Sequence, residues 1–538
     1  MSGLSSTTGF GVPDCAADRD AGSTEDTVND LEKITSGATA SAENAEQTEE
    51  LEETKERLSL KGETEDIVFV DWDGANDPEN PRNWSNPRKW LVTITVALYT
   101  GISPLVSSVG SPAGELVKAD LNISSPVVVN LTTTVFVLAF AFGPMVFGPL
   151  SEVFGRRRVL HLANIFFLIF NLACGFAQNT SQLIVFRFLA GLGGSCPFSV
   201  GGGVVGDVWR PDERGQAVAI FSLSPFLGPA IGPIAGAWIA QTTTWRWAFW
   251  STAIATAVLQ IAGFIVLKES YAPIILERKA RARRQLLLSQ GIQTSQVRVV
   301  GVVKQRWRVL ISRALVRPFA LFYRETIIQV FGIYMAFIYG LLYLFLTSMP
   351  GIFKGVYGES IGISGLHYIA LGLGITIGSI VNSLLMDKVY LLFRKRNGGE
   401  SRPEFRLPLM VPGSILLPIG LLLTGWTARS NIHWIVPDLG IFFVGAGIIL
   451  DFVAIQTYVI DAFTLHAASA LAAVLFFRAM AGFGFPLFSP YMYSALGYGN
   501  GDTILACFAI IVGIPAPFFF WHFGERFRRR SKYTHAQK

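Results

Sequence analysis

The feature that most constrains this chain is a succession of apolar stretches, each about 20 residues long and therefore able to cross a bilayer as a helix. Only 15% of the 538 residues are charged, whereas soluble domains carry about 25%. Together the two observations exclude a soluble enzyme and predict an all-α polytopic membrane protein.

Twelve candidate spans, numbered here in chain order, fall into two sets of six. Spans 1 to 6 are predicted near 90–110, 126–148, 159–177, 182–206, 216–240 and 247–267, and spans 7 to 12 near 326–347, 366–387, 407–427, 433–456, 464–490 and 503–523. A polar, basic loop at 268–325 separates the sets. We therefore predict one six-helix bundle at 71–267 and a second at 326–524.

Charge is distributed unevenly, and the distribution predicts the topology. Segment 1–66 carries 17 acidic and 5 basic residues, so a disordered acidic tail is expected at 1–70. Basic residues concentrate in the central loop, in the loops after spans 2, 4 and 8, and in a tail at 525–538, which places these segments and both termini in the cytoplasm. Their position between apolar spans favours a lipid bilayer over nucleic acid as partner. The sequon at Asn122 is then an external glycosylation site.

The loop after span 2 carries a compact pattern of glycines and charges. Gly148, Glu152, Gly155, Arg156 and Arg157 lie within ten residues, where the glycines permit close backbone approach and the acid can pair with a base. An ordinary basic loop is the alternative. The spacing resembles motif A of the major facilitator superfamily, in which Glu152 takes the place of the usual aspartate, and the resemblance implies a gating loop.

Span 5 carries glycines at every fourth position. Gly228, Gly232 and Gly236 share one helical face, which permits close helix contact, while Pro229 and Pro233 favour bending. A packing surface is the simple interpretation. The string is also similar to motif C, the signature of drug:proton antiporters in the same superfamily.

Arg187 is an ionisable residue inside span 4, where it should face a cavity or a polar partner. It matches the arginine of motif B, which the resemblance links to proton coupling, although the usual glutamine is Ala190. A structural arginine bonded to carbonyl groups is the alternative.

Other segments resemble the fungal twelve-helix drug:proton antiporter family. The resembling segments are 77–90 before span 1, 245–250 at span 6, 269–273 after it, 334–343 in span 7, and 458–486. The resemblance implies two six-helix bundles of the major facilitator fold, a small-molecule substrate and a monomer in the plasma membrane. It also implies that the proton gradient drives transport with no cofactor.

Two further embedded charges and two tyrosines are candidate site residues. Asp451 in span 10 and Arg478 in span 11 should pair or face water, and either could take part in proton coupling. Tyr339 and Tyr343 lie one turn apart in span 7 and could line a substrate cavity, with core packing as the alternative.

These features predict a proton-coupled exporter of hydrophobic or amphipathic drugs, toxins or secondary metabolites. A polyamine exporter, a proton-coupled uptake carrier and a carrier-like sensor remain alternatives. No phosphate-binding loop of an ATP-driven pump occurs in the sequence. The cysteines and histidines lack metal-ligand spacing, so neither a metal nor enzymatic activity is expected.

Overall fold

The computed structural model describes residues 67–74, 76–210, 213–290, 296–299, 307–463 and 467–531. The tail was predicted to be disordered over 1–70, and its first 66 residues lie outside the described residues, as do the last residues of the tail at 525–538. Residues 67–70 are described and form a β-strand, so the prediction of disorder is wrong for these four residues. The chain forms two compact units. Of the described residues, one unit includes 67–69, 283–290 and 296–298, and the other includes all of the spans.

The described residues contain eleven helical segments long and apolar enough to cross a membrane. Ten of them correspond to predicted spans 1 to 10. Their bounds are Asn86–Ser108, Pro126–Phe154, Arg156–Gly175, Thr180–Val208, Gly215–Thr242, Trp245–Val266, Thr326–Val356, Ile361–Arg396, Pro403–Thr427 and Ile435–Ala462.

The eleventh segment, Ser469–Arg530, contains predicted spans 11 and 12. Gly497 interrupts it with φ +73° and ψ 171°, a conformation that no helix contains. Each part is longer than the roughly 20 residues that one crossing needs. The segment therefore supplies two spans, and the all-α fold predicted from the sequence is confirmed.

Shorter elements connect the spans. Helix Gly114–Asp120 follows span 1, helix Ala272–Ser289 follows span 6, and helix Trp307–Arg324 precedes span 7. Two strands, β1 (Ile67–Val70) and β2 (Gln296–Val299), pair in a two-stranded sheet. The predicted bundle boundaries remain predictions. The main contacts between spans 1–6 and spans 7–12 join span 2 to span 11 and span 5 to span 8.

The segment before span 1 is held against helix Ala272–Ser289 by charge. Lys279 donates hydrogen bonds to Asp73, at 2.8 Å, and to Asp77. Burial alone would raise the pKa of Asp77. The donors Lys279 and the backbone amides of Asp73 and Glu79 outweigh burial, so the pKa lies below its ordinary value. The ionised carboxylate therefore anchors the start of the first bundle to the basic loop.

Candidate functional site

A cavity of about 860 Å³ lies between the first six and the last six spans. Spans 1, 2, 4 and 5 line one side, and spans 7, 10 and 11 line the other. Glu152, Arg156 and Arg317 line it at the end of the molecule that carries the basic loops. A volume of this size accommodates a drug-sized ligand.

At the opposite end, contacts between the two sets of spans close the cavity. The Ser107 hydroxyl lies 2.9 Å from the Tyr343 hydroxyl, and the Ser111 hydroxyl donates to the Leu346 carbonyl. The Gln241 side chain accepts a hydrogen bond from the Gly362 amide. These bonds join span 1 to span 7 and span 5 to span 8. The structure is therefore open at one end only.

The cavity wall is largely apolar and aromatic, with one cation far from the mouth. Its aromatic side chains are Phe198, Phe221, Phe226, Tyr339 and Phe452. The Arg478 guanidinium lies 5.1 Å from the ring centroid of Tyr339 and 4.9 Å from that of Phe452. Such cation–π contacts partly offset the cost of holding a charge away from bulk water.

Tyr339 and Tyr343 occupy different positions, although both were candidates to line the cavity, with core packing as the alternative. Tyr339 is part of the wall, whereas Tyr343 is fully buried behind it, with ring centroids 5.3 Å apart. The Tyr343 hydroxyl contacts Ser107 instead of the cavity. Helical spacing of four residues places two side chains on one face but does not say which of them reaches the surface.

Arg187 is fully buried and bonded to backbone carbonyls. Its guanidinium donates to Val106 at 2.8 Å and Ser107 at 2.7 Å in span 1, and to Thr132 at 3.0 Å and Thr133 at 3.2 Å in span 2. No carboxylate in the described part of the chain forms an ion pair with it. Arg187 therefore joins three spans of the first bundle, and it does not line the cavity.

Asp451 and Arg478 do not pair with each other, although pairing was one expectation. Asp451 accepts hydrogen bonds from Tyr334 at 2.6 Å and Ser414 at 3.3 Å and is fully buried among spans 7, 9 and 10. The next residue, Phe452, faces the cavity. One step along a helix rotates the side chain by about 100°, which carries Asp451 away from Arg478. Arg478 lines the cavity, which is compatible with the alternative expectation that it faces water.

The segment 148–157 was predicted as a loop, but Gly148 and Glu152 lie in span 2, Arg156 begins span 3, and Gly155 alone separates the two helices. Arg156 is the centre of a charge cluster at this turn. Its guanidinium pairs with Asp207 at the end of span 4 at 3.3 Å, and its amide donates to Glu269 at 2.9 Å. Glu152 and Arg156 both line the cavity, whereas Arg157 is exposed. A gating role for these residues stays a prediction. Asp207 was not among the residues predicted from the sequence to pair with Arg156. The sequence did contain a signal for this pair, because Asp207 ends an apolar span on the side of the membrane where the basic residues are predicted to lie.

The second half repeats this arrangement. Arg406, near the start of span 9, pairs with Asp461 at the end of span 10 at 3.0 Å and with Asp387 in span 8 at 2.9 Å. Spans 9 and 10 are the third and fourth spans of their set, as spans 3 and 4 are of theirs. Equivalent arginine–aspartate pairs thus fasten equivalent spans in both halves.

The span 5 glycines pack against span 1. A side chain at Gly228, Gly232 or Gly236 would overlap backbone atoms of Gly101, Leu105 or Val109. Both Pro229 and Pro233 are buried, and of the two Pro229 is part of the cavity wall. The glycine face is therefore a helix–helix interface, and one of the prolines between the glycines reaches the cavity wall.

A family model described as Major Facilitator Superfamily matches residues 96–486. The chain belongs to this superfamily. It is a membrane transporter, as the motifs predicted, and not an enzyme. The efflux pump vrtL of Penicillium aethiopicum is 40% identical over 470 residues, which cover 87% of this chain and 92% of that pump. The efflux pump radE of Floropilus chiversii is 38% identical over 477 residues, 88% of each chain.

Solved structures support the same fold. The xylose transporter XylE from E. coli, in a partially occluded inward-open conformation, matches with a TM-score of 0.60 and 16% identity. The match covers 81% of this chain and 98% of XylE. At this identity the likeness establishes the shared fold and no more.

Gly148 in span 2 and Gly155 between spans 2 and 3 should respond differently to substitution. Gly155 has φ +93°, and an added side chain would overlap the Glu269 carboxylate, so Gly155→Ala should lower the free energy of unfolding by about 1–3 kcal/mol. At Gly148 the nearest atom, the Ser199 Cβ, would lie 3.9 Å from the new methyl group. Gly148→Ala should therefore unfold at the same temperature as the parent. Equal thermal midpoints for the two purified variants would contradict this.

Proposed function

We propose that the chain is a proton-coupled exporter of hydrophobic or amphipathic drugs, toxins or secondary metabolites. The observation that carries the proposal is the apolar, aromatic cavity between the two sets of spans, open only at the end with the basic loops. The positive-inside rule assigns that end to the cytoplasm. A cytoplasmic compound could then enter the cavity, and rocking of the two halves would expose it on the other side. The relatives named efflux pumps support this direction of transport.

The proposed setting is the plasma membrane, with both termini cytoplasmic and the chain working as a monomer. The contacts that close the far end, such as Ser107 with Tyr343, would have to break for release. In the same transition the two halves would approach each other around the mouth, where Glu152 and Arg156 lie. Asn122 is exposed after helix Gly114–Asp120, which is compatible with the proposed external glycosylation.

Asp451 is the proposed carrier of the transported proton. It is a fully buried carboxylate, bonded to Tyr334, on the residue next to Phe452 of the cavity wall. A buried carboxylate without a cationic partner is costly when ionised, so proton uptake and release there would change the stability of this part of the second bundle. Arg187 would act on coupling only through the packing of spans 1, 2 and 4.

The alternatives receive less support from the cavity. A polyamine exporter needs anionic groups for a polycation, whereas Arg478 places a cation in the wall. An uptake carrier shares the fold, and the direction of flux separates it from an exporter. A sensor would show no flux.

The test is efflux of labelled amphipathic compounds from pump-deficient yeast that expresses the full chain. We expect lower accumulation than in the empty-vector strain, restored by a protonophore. Asp451→Asn should abolish proton-driven efflux at unchanged protein abundance. The matched variant Asp502→Asn should retain efflux, because Asp502 is also buried and tyrosine-bonded but, unlike Asp451, is not next to a residue of the cavity wall. Protonophore-resistant efflux would contradict proton coupling, and normal efflux by Asp451→Asn would contradict its assigned role.

A further inference from the structure

The cavity wall contains an arginine whose charge has no carboxylate partner among the described residues. Arg478 lines the cavity, and its Nε has no hydrogen-bond partner. The embedded acid Asp451, next to Phe452 in the sequence, is bonded to Tyr334 and Ser414. Two aromatic rings contact the guanidinium, but a ring face offers no acceptor that replaces a carboxylate.

The other charges of the cavity do not balance Arg478. Glu152 is the one acid among the described lining residues, and it lies at the basic-loop end with Arg156 and Arg317. Around Arg478 the lining side chains are neutral, chiefly those of Tyr339, Phe452 and their apolar neighbours. The inner cavity therefore presents a positive charge between aromatic surfaces.

From this placement we propose that the transported compound is an aromatic organic anion, with an apolar ring system and one carboxylate or phenolate that binds Arg478. The proposal rests on the proposed export function and names its substrate class. A guanidinium binds an oxyanion through two parallel N–H donors, and the interaction is strong where water is excluded. The rings of Tyr339 and Phe452 would contact the apolar part of the same molecule. An organic cation in this position would be repelled by Arg478.

Equilibrium binding to the purified full-length chain tests the charge preference without any proton gradient. The probes are 2-naphthoate, 2-naphthylmethanol and 2-naphthylmethylammonium, which share one ring system and differ in charge. Ligand-dependent thermal stabilisation gives an apparent affinity for each. The wild-type chain should bind the anion most tightly and the cation most weakly.

Substitution of Arg478 then assigns the preference to one side chain. Arg478→Gln should weaken naphthoate binding by roughly tenfold to a hundredfold, the range expected for a lost charge-assisted interaction, and change binding of the neutral alcohol by less than about threefold. Arg478→Lys keeps the charge but lacks the two parallel N–H donors of a guanidinium. Its affinity for naphthoate should lie between those of the parent and Arg478→Gln. The matched control is Arg429→Gln: Arg429 also lies over an aromatic ring, that of Trp426, but is exposed and outside the cavity. This control should bind all three probes as the parent does.

Two results would overturn the inference. One is that the wild-type chain binds the ammonium probe more tightly than naphthoate, and the other is that Arg478→Gln weakens the binding of all three probes equally. If Arg478→Gln does not fold, the wild-type ranking and Arg478→Lys still decide. The proposed function fails separately, since protonophore-resistant efflux would contradict coupling while the anion preference stands. Proton-driven efflux of cations alone would contradict the anion preference while the coupling stands.

Discussion

Arg187→Gln is expected to lower the free energy of unfolding by more than about 3 kcal/mol, since charge-assisted hydrogen bonds contribute about 1.5–3 kcal/mol each. Arg187 is fully buried and donates to carbonyls of spans 1 and 2 from its place in span 4. Glutamine offers one short amide in place of a five-donor fork. Several carbonyls would lose their partner in a dry interior, where an unsatisfied polar group is costly.

Arg187→Lys should be destabilised almost as much, although it keeps the charge. An ammonium has three donors in a compact cluster and cannot reach carbonyls on two different helices in the geometry of a guanidinium. The measurement is the thermal midpoint and the folded yield of each purified variant. Arg157→Gln is the matched control, because Arg157 is exposed at the start of span 3. We expect the midpoint of that variant to match the parent.

The outcome also separates two roles for Arg187. One outcome is that Arg187→Gln and Arg187→Lys both fold as well as the parent but lose proton-driven efflux. In that case the hydrogen bonds to the carbonyls do not explain the need for arginine, and a direct role of Arg187 in proton coupling is favoured. Loss of stability in both variants assigns Arg187 to the scaffold. The motif that it matches predicts proton coupling, so this experiment tests the resemblance as well as the structure.

The spans could be predicted from sequence because membrane crossing depends on local properties. Runs of about 20 apolar residues and the spacing of glycines are visible in one dimension. The same local signals located the loop after span 2, the span 5 glycine face and Arg187. The break at Gly497 falls between predicted spans 11 and 12, where the sequence already showed a polar interval.

The partners of the embedded charges could not be predicted, because they depend on how helices rotate against each other. The sequence placed Asp451 and Arg478 at membrane depth. It could not show that Asp451 bonds to Tyr334 while Arg478 contacts the ring of the next residue, Phe452. Likewise, Tyr339 and Tyr343 share one face, and only the packing of spans 1 and 7 decides that Tyr343 is covered. A rotation of a few tens of degrees would exchange such roles.

The span 5 glycines should be as sensitive as Arg187, for a steric reason. At Gly236 an added methyl group would overlap the backbone carbonyl of Val109, and at Gly232 that of Leu105. Backbone atoms inside a helix cannot rotate away, so spans 1 and 5 would have to separate. Overpacking typically costs about 1–3 kcal/mol, and Gly232→Ala together with Gly236→Ala should exceed the effect of either alone.

The position of the overlap decides what the substitutions do to transport. Span 5 contacts span 1 through its glycines and span 8 through Ala230 and Ala237, so displacing it from span 1 also disturbs the contact between the two halves. Efflux by Gly236→Ala should therefore fall below about a tenth of the parent, and its thermal midpoint should fall as well. Gly206→Ala in span 4 is the control, since nothing lies within 4 Å of the added carbon, and it should retain both efflux and midpoint. Full efflux by Gly236→Ala would mean that close packing of spans 1 and 5 is not needed for alternating access.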